Sequence, residues 1–371
     1  MTHDRQKLLP DVHQKSAAGD VASRKDAKFC FKSYVIISMT IIWSCHAILL
    51  NLTRTRPPAE NQFYFSTTVV FLAEICKFFM ALCLAHRANR FNLEKSWREF
   101  RTDFIGKPDE LLKMSVPSIL YAVQNNLDFV ALANLEPGVY QVTCQLKVVT
   151  TAIFMVVMLG KRYSMARWIS ILLLFAGVAM VQLDAMTNHP IPSSMLSTVG
   201  NIISNISLFT TATPSKEPIQ RQQNHFIGLG AVLITCVTAG FSGVYFEKML
   251  KNVESSTTLW VRNMQMYFTG IISAGLACWI KEGTAILDKG FFFGYYDLVY
   301  IIIGLLSVGG IYISMVIKYL DNLLKSFASA ASILLVSFLS LYLFGANLDI
   351  LFVLGSFTVI GAILLYNYVK E

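Results

Sequence analysis

Charge is scarce in this chain. Asp, Glu, Lys and Arg make up 15% of its 371 residues, where a soluble globular protein carries about a quarter. No CxxC pair and no Cys/His spacing of the metal-binding kind occurs, so Cys30, Cys45, Cys76, Cys83, Cys144, Cys236 and Cys278 carry no redox or metal signature. They fall mostly inside apolar runs and are expected to be small buried apolar residues. A phosphate-binding glycine loop of the Walker type is missing, and so is a Gly-x-Ser-x-Gly elbow. Nucleotide hydrolysis on a P-loop and hydrolase chemistry on a nucleophile elbow therefore have no motif to rest on. No metal or other cofactor is expected. The lone His46 inside an apolar run is read as a packed polar residue, not a ligand. A cleavable leader is not expected either, because the first apolar run follows a polar stretch over 1–33 and is itself long enough to span a bilayer.

Long hydrophobic runs are what the chain has instead, with 54% of its residues hydrophobic. Windows of about 19 residues give roughly ten spans. They lie near 34–52, 64–85, 113–134, 138–159, 165–183, 225–246, 258–280, 295–317, 323–344 and 347–368. Each approaches the roughly 20 residues that a helix needs to cross a hydrocarbon core of about 30 Å. The lipid bilayer is thus the first partner.

The net charge of +8 invites a nucleic-acid reading, but its distribution argues for topology. Lys and Arg crowd residues 5–32 and 87–113 and recur at Lys161, Arg162 and Arg167. The opposite side holds only Arg54, Arg56, Lys216, Arg221, Lys281 and Lys289. This is the positive-inside asymmetry for a cytosolic N-terminus, and an even span count then places both termini in the cytosol. Nucleic acid is not expected as a partner.

The chain divides into a polar cytosolic tail over 1–33, five spans over 34–183, a lumenal linker over 184–224, and five more spans with a short cytosolic end over 225–371. Two halves with odd span counts insert in opposite orientations, which is the arithmetic of an inverted repeat with a site between the halves. The linker carries Asn205-Ile206-Ser207, a glycosylation acceptor pattern. A second tripeptide, Asn51-Leu52-Thr53, abuts the first span.

Ionisable residues inside membrane segments are costly and mark sites by default. Lys147 stands in YQVTCQLKVVTTAIF and Lys325 in DNLLKSFASAASIL. Lys147 lies about ten residues past Glu136-Pro137, or about 15 Å at 1.5 Å per residue, too deep for its stem to snorkel out. A buried ion pair with Asp128 or Glu74 is the structural alternative for Lys147, and snorkelling is the alternative for Lys325. In the third span Tyr121, Gln124, Asn125 and Asp128 fall at i, i+3, i+4 and i+7, one helical face. In the fourth, Tyr140, Cys144, Lys147 and Thr151 form a stripe. Ser329 and Ser332 follow Lys325 on its face, and Ser307, Gly310 and Ser314 share another. Asn263 and Tyr267 stand at i and i+4, suited to hydrogen bonding and stacking with a base or ribose, while Trp260 suits the interfacial belt. Glu74 and Lys77, at i and i+3, are expected to neutralise each other. Two fixed cations among small polar side chains point to a pathway for an anion.

At these residues a resemblance appears. YAVQNNLDFVALANLEPGVYQVTCQLKVVTTAIF, GFSGVYFEKMLK, LWVRNMQMY and IKYLDNLLKSF resemble motifs of the Golgi pyrimidine nucleotide-sugar transporters, within the drug/metabolite transporter superfamily. The likeness covers most of 34–368. It implies an all-α integral membrane protein of ten transmembrane helices in two inverted five-helix repeats. It also implies import of a pyrimidine nucleotide sugar into the lumen of the Golgi, or of the endoplasmic reticulum, in exchange for the nucleoside monophosphate. By motif, the ligand-lining positions fall on Tyr121, Gln124, Asn125, Tyr140, Lys147, Asn263, Tyr267, Ser314 and Lys325, with the two lysines on the phosphates. Asp128 and Ser326 depart from the pattern, which usually has an uncharged residue and a glycine there. SVGGIYISMVIKYLDN and RNMQMY look closest to the CMP-sialic acid branch, whereas GFFFGY and LFGANLD are similar to the UDP-galactose branch, and UDP-N-acetylglucosamine is carried by many members.

Other classes are weaker. A membrane-embedded glycosyl or phosphoryl transferase needs grouped carboxylates or histidines, and Glu247 and Asp321 stand alone in the sequence. A non-catalytic subunit that binds glycosyltransferases would leave the buried lysines without a purpose. An exporter of another anionic metabolite is the nearest rival. Homodimerisation stays open.

Overall fold

The computed structural model describes residues 30–31, 33–50, 52–53, 63–135, 137–187, 225–251, 257–344 and 349–368. At 122, 125, 126, 129, 133, 137, 138, 185–187 and 340–344 only the backbone is described. Most of the polar tail, most of the 184–224 linker and both acceptor asparagines, Asn51 and Asn205, lie outside the described residues.

The described chain is helical. Its helices are α1 (Ser33–Leu50), α2 (Ser66–Ala88), α3 (Leu93–Glu99, continued as a wide turn over Phe100–Ile105) and α4 (Pro108–Asn134). Then come α5 (Pro137–Thr143), α6 (Leu146–Leu159) and α7 (Met165–Thr187). The second half holds α8 (His225–Lys251), α9 (Leu259–Lys289), α10 (Asp297–Tyr319), α11 (Asn322–Phe344) and α12 (Ile350–Tyr368). Nine spans among the described residues are long and apolar enough to cross a membrane, α5 and α6 together making one of them. α4 is the exception. At 27 residues it is long enough, and the polar stripe that includes Gln124 and Asp128 lowers its apolar content.

Helix starts follow local chemistry. Pro108 opens α4, where its missing N–H has no partner to lose. Thr258 caps α9 by accepting from Val261 N–H, and Asn92 caps α3 by accepting from Lys95 N–H. α3 lies in the basic 87–113 stretch, which has no apolar run to announce it.

Close helix approaches occur at glycines. Gly177 of α7 and Gly355 of α12 meet so tightly that a Cβ on Gly355 would sit 3.0 Å from Gly177 O. At Gly240 of α8 a Cβ would lie 2.9 Å from the Thr150 backbone of α6. The packing partners show a pattern. α2 packs on α9 and α7 packs on α12, while α4 and α6 both pack on α8. In the same manner α1 packs on α10 through Trp43 and Gly309, and on α11 through Ser44 and Ser332.

Two expectations change. The fourth span is not one helix: α5 stops at Thr143 and α6 starts at Leu146. Between them Gln145 N–H donates to Val142 O, Lys147 N–H to Cys144 O and Val148 N–H to Gln145 O, so i→i+3 bonds replace i→i+4 bonds and tighten the backbone. The cysteines are also less buried than expected. Cys30, Cys45, Cys76 and Cys83 lie on outer helix faces, and only Cys144, Cys236 and Cys278 are buried. A thiol packs against lipid as well as against a core, because it is small and apolar.

Candidate functional site

Both lysines sit in the first turn of a helix. The break after Thr143 makes Lys147 the second residue of α6, and Lys325 is the fourth residue of α11. Asp321 caps α11, its Oδ1 accepting from Leu324 N–H at 2.7 Å. A helix N-terminus already carries partial positive charge from unpaired N–H groups, so cations are usually placed at the other end. Here two N-termini and two lysines converge on the same space. Such an arrangement is unfavourable when empty and favourable around an anion.

That space is a cavity of about 520 Å³ whose wall includes Lys147, Lys325, Thr151, Asn322, Ser326 and Ser329, with Gln145 at the helix break. Its walls are otherwise aliphatic, from Val148, Leu174, Val178 and Ile333, and no carboxylate lines it among the described residues. Lys147 Nζ is buried with no hydrogen-bond partner among the described residues. Glu74 does not pair with it, because Glu74 holds Lys77 at 2.6 Å. Lys325 is 9% exposed, which removes the snorkelling alternative.

A second cavity, of about 300 Å³, opens on the other side of Lys325. Tyr121, Tyr267, Ser314 and Gly310 line it, together with Phe246, Met266, Ile313 and Ile317. Tyr267 is fully buried and its hydroxyl lies 3.3 Å from Ser314 Oγ, either oxygen being able to donate. The Lys77 ammonium stands 5.7 Å from the centre of the Tyr267 ring, a cation–π distance. The Glu74–Lys77 pair fits between helices because its neighbours are glycines. A Cβ on Gly270 would sit 2.5 Å from Glu74 Oε2, and one on Gly310 would sit 2.8 Å from Lys77 Cε. Mutual neutralisation of this pair is as the spacing suggested. His46 packs edge-on against Trp43 at 5.5 Å.

The structure thus brings together Tyr121, Lys147, Tyr267, Ser314 and Lys325, with Lys325 shared by both cavities. Others lie elsewhere. Tyr140 is fully buried against Ala131, Leu135, Ala231 and Val232, away from both cavity walls. Tyr140 and Lys147 nonetheless share Asp128, Cys144 and Cys236 as electrostatic neighbours. Gln124 is 4% exposed and its Nε2 has no partner among the described residues, and it lines neither cavity. Asn263 is fully buried, with both polar atoms unpartnered among the described residues, one turn before Tyr267. For Asn125 the structure gives only the backbone. Asp128 faces Tyr140, Thr235 and Lys147 electrostatically, without a salt bridge to Lys147 within 4 Å.

Glu247 and Asp321 are structural. Glu247 Oε1 holds Lys251 at 2.7 Å and its Oε2 accepts from Asn322 N–H at 2.7 Å. Asp321 Oδ2 lies 3.3 Å from Lys161 Nζ. The two carboxylates act on each other electrostatically, and each is engaged by a lysine, Glu247 by Lys251 and Asp321 by Lys161. The sequence stripes missed Asn322 and Gln145 as wall residues. The IKYLDN motif contains the first, and nothing in the composition near Gln145 signals a helix break.

The family model described as nucleotide-sugar transporter matches residues 27–367. The chain is 46% identical over 369 residues to UDP-galactose translocator 1 of Caenorhabditis elegans, covering 99% of this chain and 96% of that protein. It is 37% identical to the UDP-galactose translocator of Mus musculus, covering 90% and 78%. It is 36% identical to the UDP-N-acetylglucosamine transporter of Rattus norvegicus, covering 88% and 93%. A solved crystal structure superposes with a TM-score of 0.58 at 12% identity, over 91% of this chain and 97% of that one, which supports the helical fold alone. A membrane bundle with two converging lysines, matched along nearly its whole length, belongs to the nucleotide-sugar transporter family.

Proposed function

We propose that this protein is an antiporter that carries a pyrimidine nucleotide sugar into the Golgi lumen and returns the nucleoside monophosphate, by alternating access. The observation that carries this reading is the single cavity holding Lys147 and Lys325 with no carboxylate in its wall. Two cations and two helix N-termini match a dianion. A UDP-sugar carries about two negative charges and a departing monophosphate about 1.5 to 2, given a second phosphate pKa near 6. One-for-one exchange is then nearly electroneutral and needs no coupling ion. The empty carrier leaves its cations with only partial compensation from Asp128 and Glu247, so bound ligand stabilises the occluded state that reorients.

The matching helix pairs support two inverted five-helix repeats. Exchange of the halves turns the α4–α8 contact into α10–α1 and the α6–α8 contact into α11–α1, while α2–α9 and α7–α12 map onto themselves. That is the symmetry of a carrier that rocks one repeat against the other around a central site. Uridine is favoured over cytidine because the relatives are named for UDP-galactose and UDP-N-acetylglucosamine.

The test is uptake by purified protein in liposomes preloaded with UMP, with CMP or with neither. Labelled UDP-galactose, UDP-N-acetylglucosamine and CMP-sialic acid are offered outside. Stimulation of UDP-sugar uptake by internal UMP is the expected result. Equal uptake with and without preload would overturn exchange, and stimulation by CMP alone would overturn the uridine assignment.

A further inference from the structure

The segment between α2 and α4 has no part in the cavities, yet it is built with unusual care. α2 ends in a tight reversal in which Arg90 and Phe91 both adopt left-handed backbone, with φ of 55° and 59°. Such a conformation is uncommon for residues other than glycine and persists only where its surroundings hold it. Phe91 N–H donates to His86 O and Arg90 N–H to Arg87 O. α3 is then tied back to the end of α2 by His86 Nδ1 with Ser96 Oγ at 2.9 Å and by Asn89 Nδ2 donating to Glu99 Oε2 at 2.5 Å. The orientation of α3 is therefore fixed.

The fixed helix is amphipathic. Phe79, exposed on the outer face of α2, begins an unbroken series of ring contacts through Phe78, Phe104 and Phe100 to Trp97. Trp97 and its i−4 neighbour Leu93 are exposed, at 65% and 77%, and so is Phe91 at 69%. Exposed apolar side chains thus stand on both α2 and α3, and the rings between them pack through buried Phe104. Beside it stand Arg90, Lys95, Arg98 and Arg101, none of them buried. The acids of the segment are turned to other work. Glu99 also accepts from Thr258 at 2.8 Å, and Asp103 holds Lys107 at 2.6 Å, which keeps the Lys107 pKa above its ordinary value. Glu94 is the exposed exception among them.

We infer that the Phe91–Ile105 segment lies in the plane of the cytosolic membrane interface and binds anionic phospholipid headgroups through Arg90, Lys95, Arg98 and Arg101. The apolar side of an interfacial helix sinks to the headgroup boundary while basic residues meet the negative leaflet. The exposed apolar side chains of Phe79, Phe91, Leu93 and Trp97 supply the first requirement, and the exposed basic side chains beside them supply the second. Cytosolic placement follows from the excess of Lys and Arg on this side. Each basic residue near an anionic surface is worth roughly fivefold in affinity.

Hydrogen exchange of the full chain in nanodiscs tests this directly. In phosphatidylcholine discs containing phosphatidylserine, amides of 91–105 should exchange at least about tenfold more slowly than in pure phosphatidylcholine discs, and salt should erase the difference. The triple variant R90Q/R98Q/R101Q should lose that dependence while the helices around Lys147 and Lys325 keep their protection. A second variant, L93S/W97S, should exchange fast in both discs. Equal exchange of the wild-type segment in the two discs would overturn the proposal. So would protection that rises with the number of chains per disc and ignores lipid charge, because that result assigns the face to a second copy.

Discussion

Lys147 and Lys325 begin two different helices and line one cavity, and neither has an acidic partner in its wall.

Lys147→Gln and Lys325→Gln should each reduce exchange at least tenfold without loss of folded protein. Hydrogen bonds to charged groups contribute about 1.5–3 kcal/mol, which corresponds to more than a tenfold loss. Exchange rates in proteoliposomes, with gel filtration of each variant as the control for folding, measure it. Wild-type exchange by either variant would remove that lysine from the phosphate site.

Asp128→Asn should separate exchange from net flux. Asp128 is the acid that acts on Lys147 electrostatically, so it offers partial compensation when the ligand leaves. Its removal should lower uptake into empty vesicles relative to uptake into preloaded ones. An unchanged ratio would show that Asp128 serves only the packing around Tyr140 and Thr235.

The Glu74–Lys77 pair predicts a contrast between single and double variants. Removing one partner of a buried pair costs roughly 3–5 kcal/mol, since the other charge is stranded. Lys77→Met should therefore lower thermal stability in detergent sharply. The double variant Glu74→Leu with Lys77→Met should recover much of the stability but lose the cation beside Tyr267, so its transport stays impaired. Full transport by a stable double variant would make the pair purely structural.

Asp321→Ala should weaken substrate affinity without abolishing turnover. It removes the cap of α11 and the partner of Lys161. Loss of an N-cap costs about 1 kcal/mol, and the fraying would begin one turn from Lys325. Measurement of KM and maximal rate separates the two, and Asp321→Asn, which can still cap, should recover the affinity.

Gly177→Leu should prevent stable folding, because a Cβ there would lie 2.9 Å from Val359 N and the α7–α12 crossing has no room to shift. Gly361→Ala on the same α12, where nothing lies within 4 Å of a Cβ, should be silent. Yield of monodisperse protein tells them apart.

The sequence by itself determined most of the apolar spans and the two buried lysines. These depend on local properties: apolar length must match the bilayer, and an ionised group in hydrocarbon is costly wherever its neighbours lie. It also determined the Glu74–Lys77 pair, because three residues along a helix place side chains together without help from the fold. Only the tertiary structure decided which polar residues share a cavity. The Thr143–Leu146 break carries no proline or glycine, so its i→i+3 bonds arise from packing of α5 and α6 against α8, where Cys236 and Thr150 meet the turn and its flanks. That break set Lys147 at a helix start. Asn322 and Ser326 joined the wall because α11 is steered by Asp321, Glu247 and Lys161, partners far apart in the chain. Periodicity assumes a continuous helix and no distant partners, and the site lies where both assumptions fail.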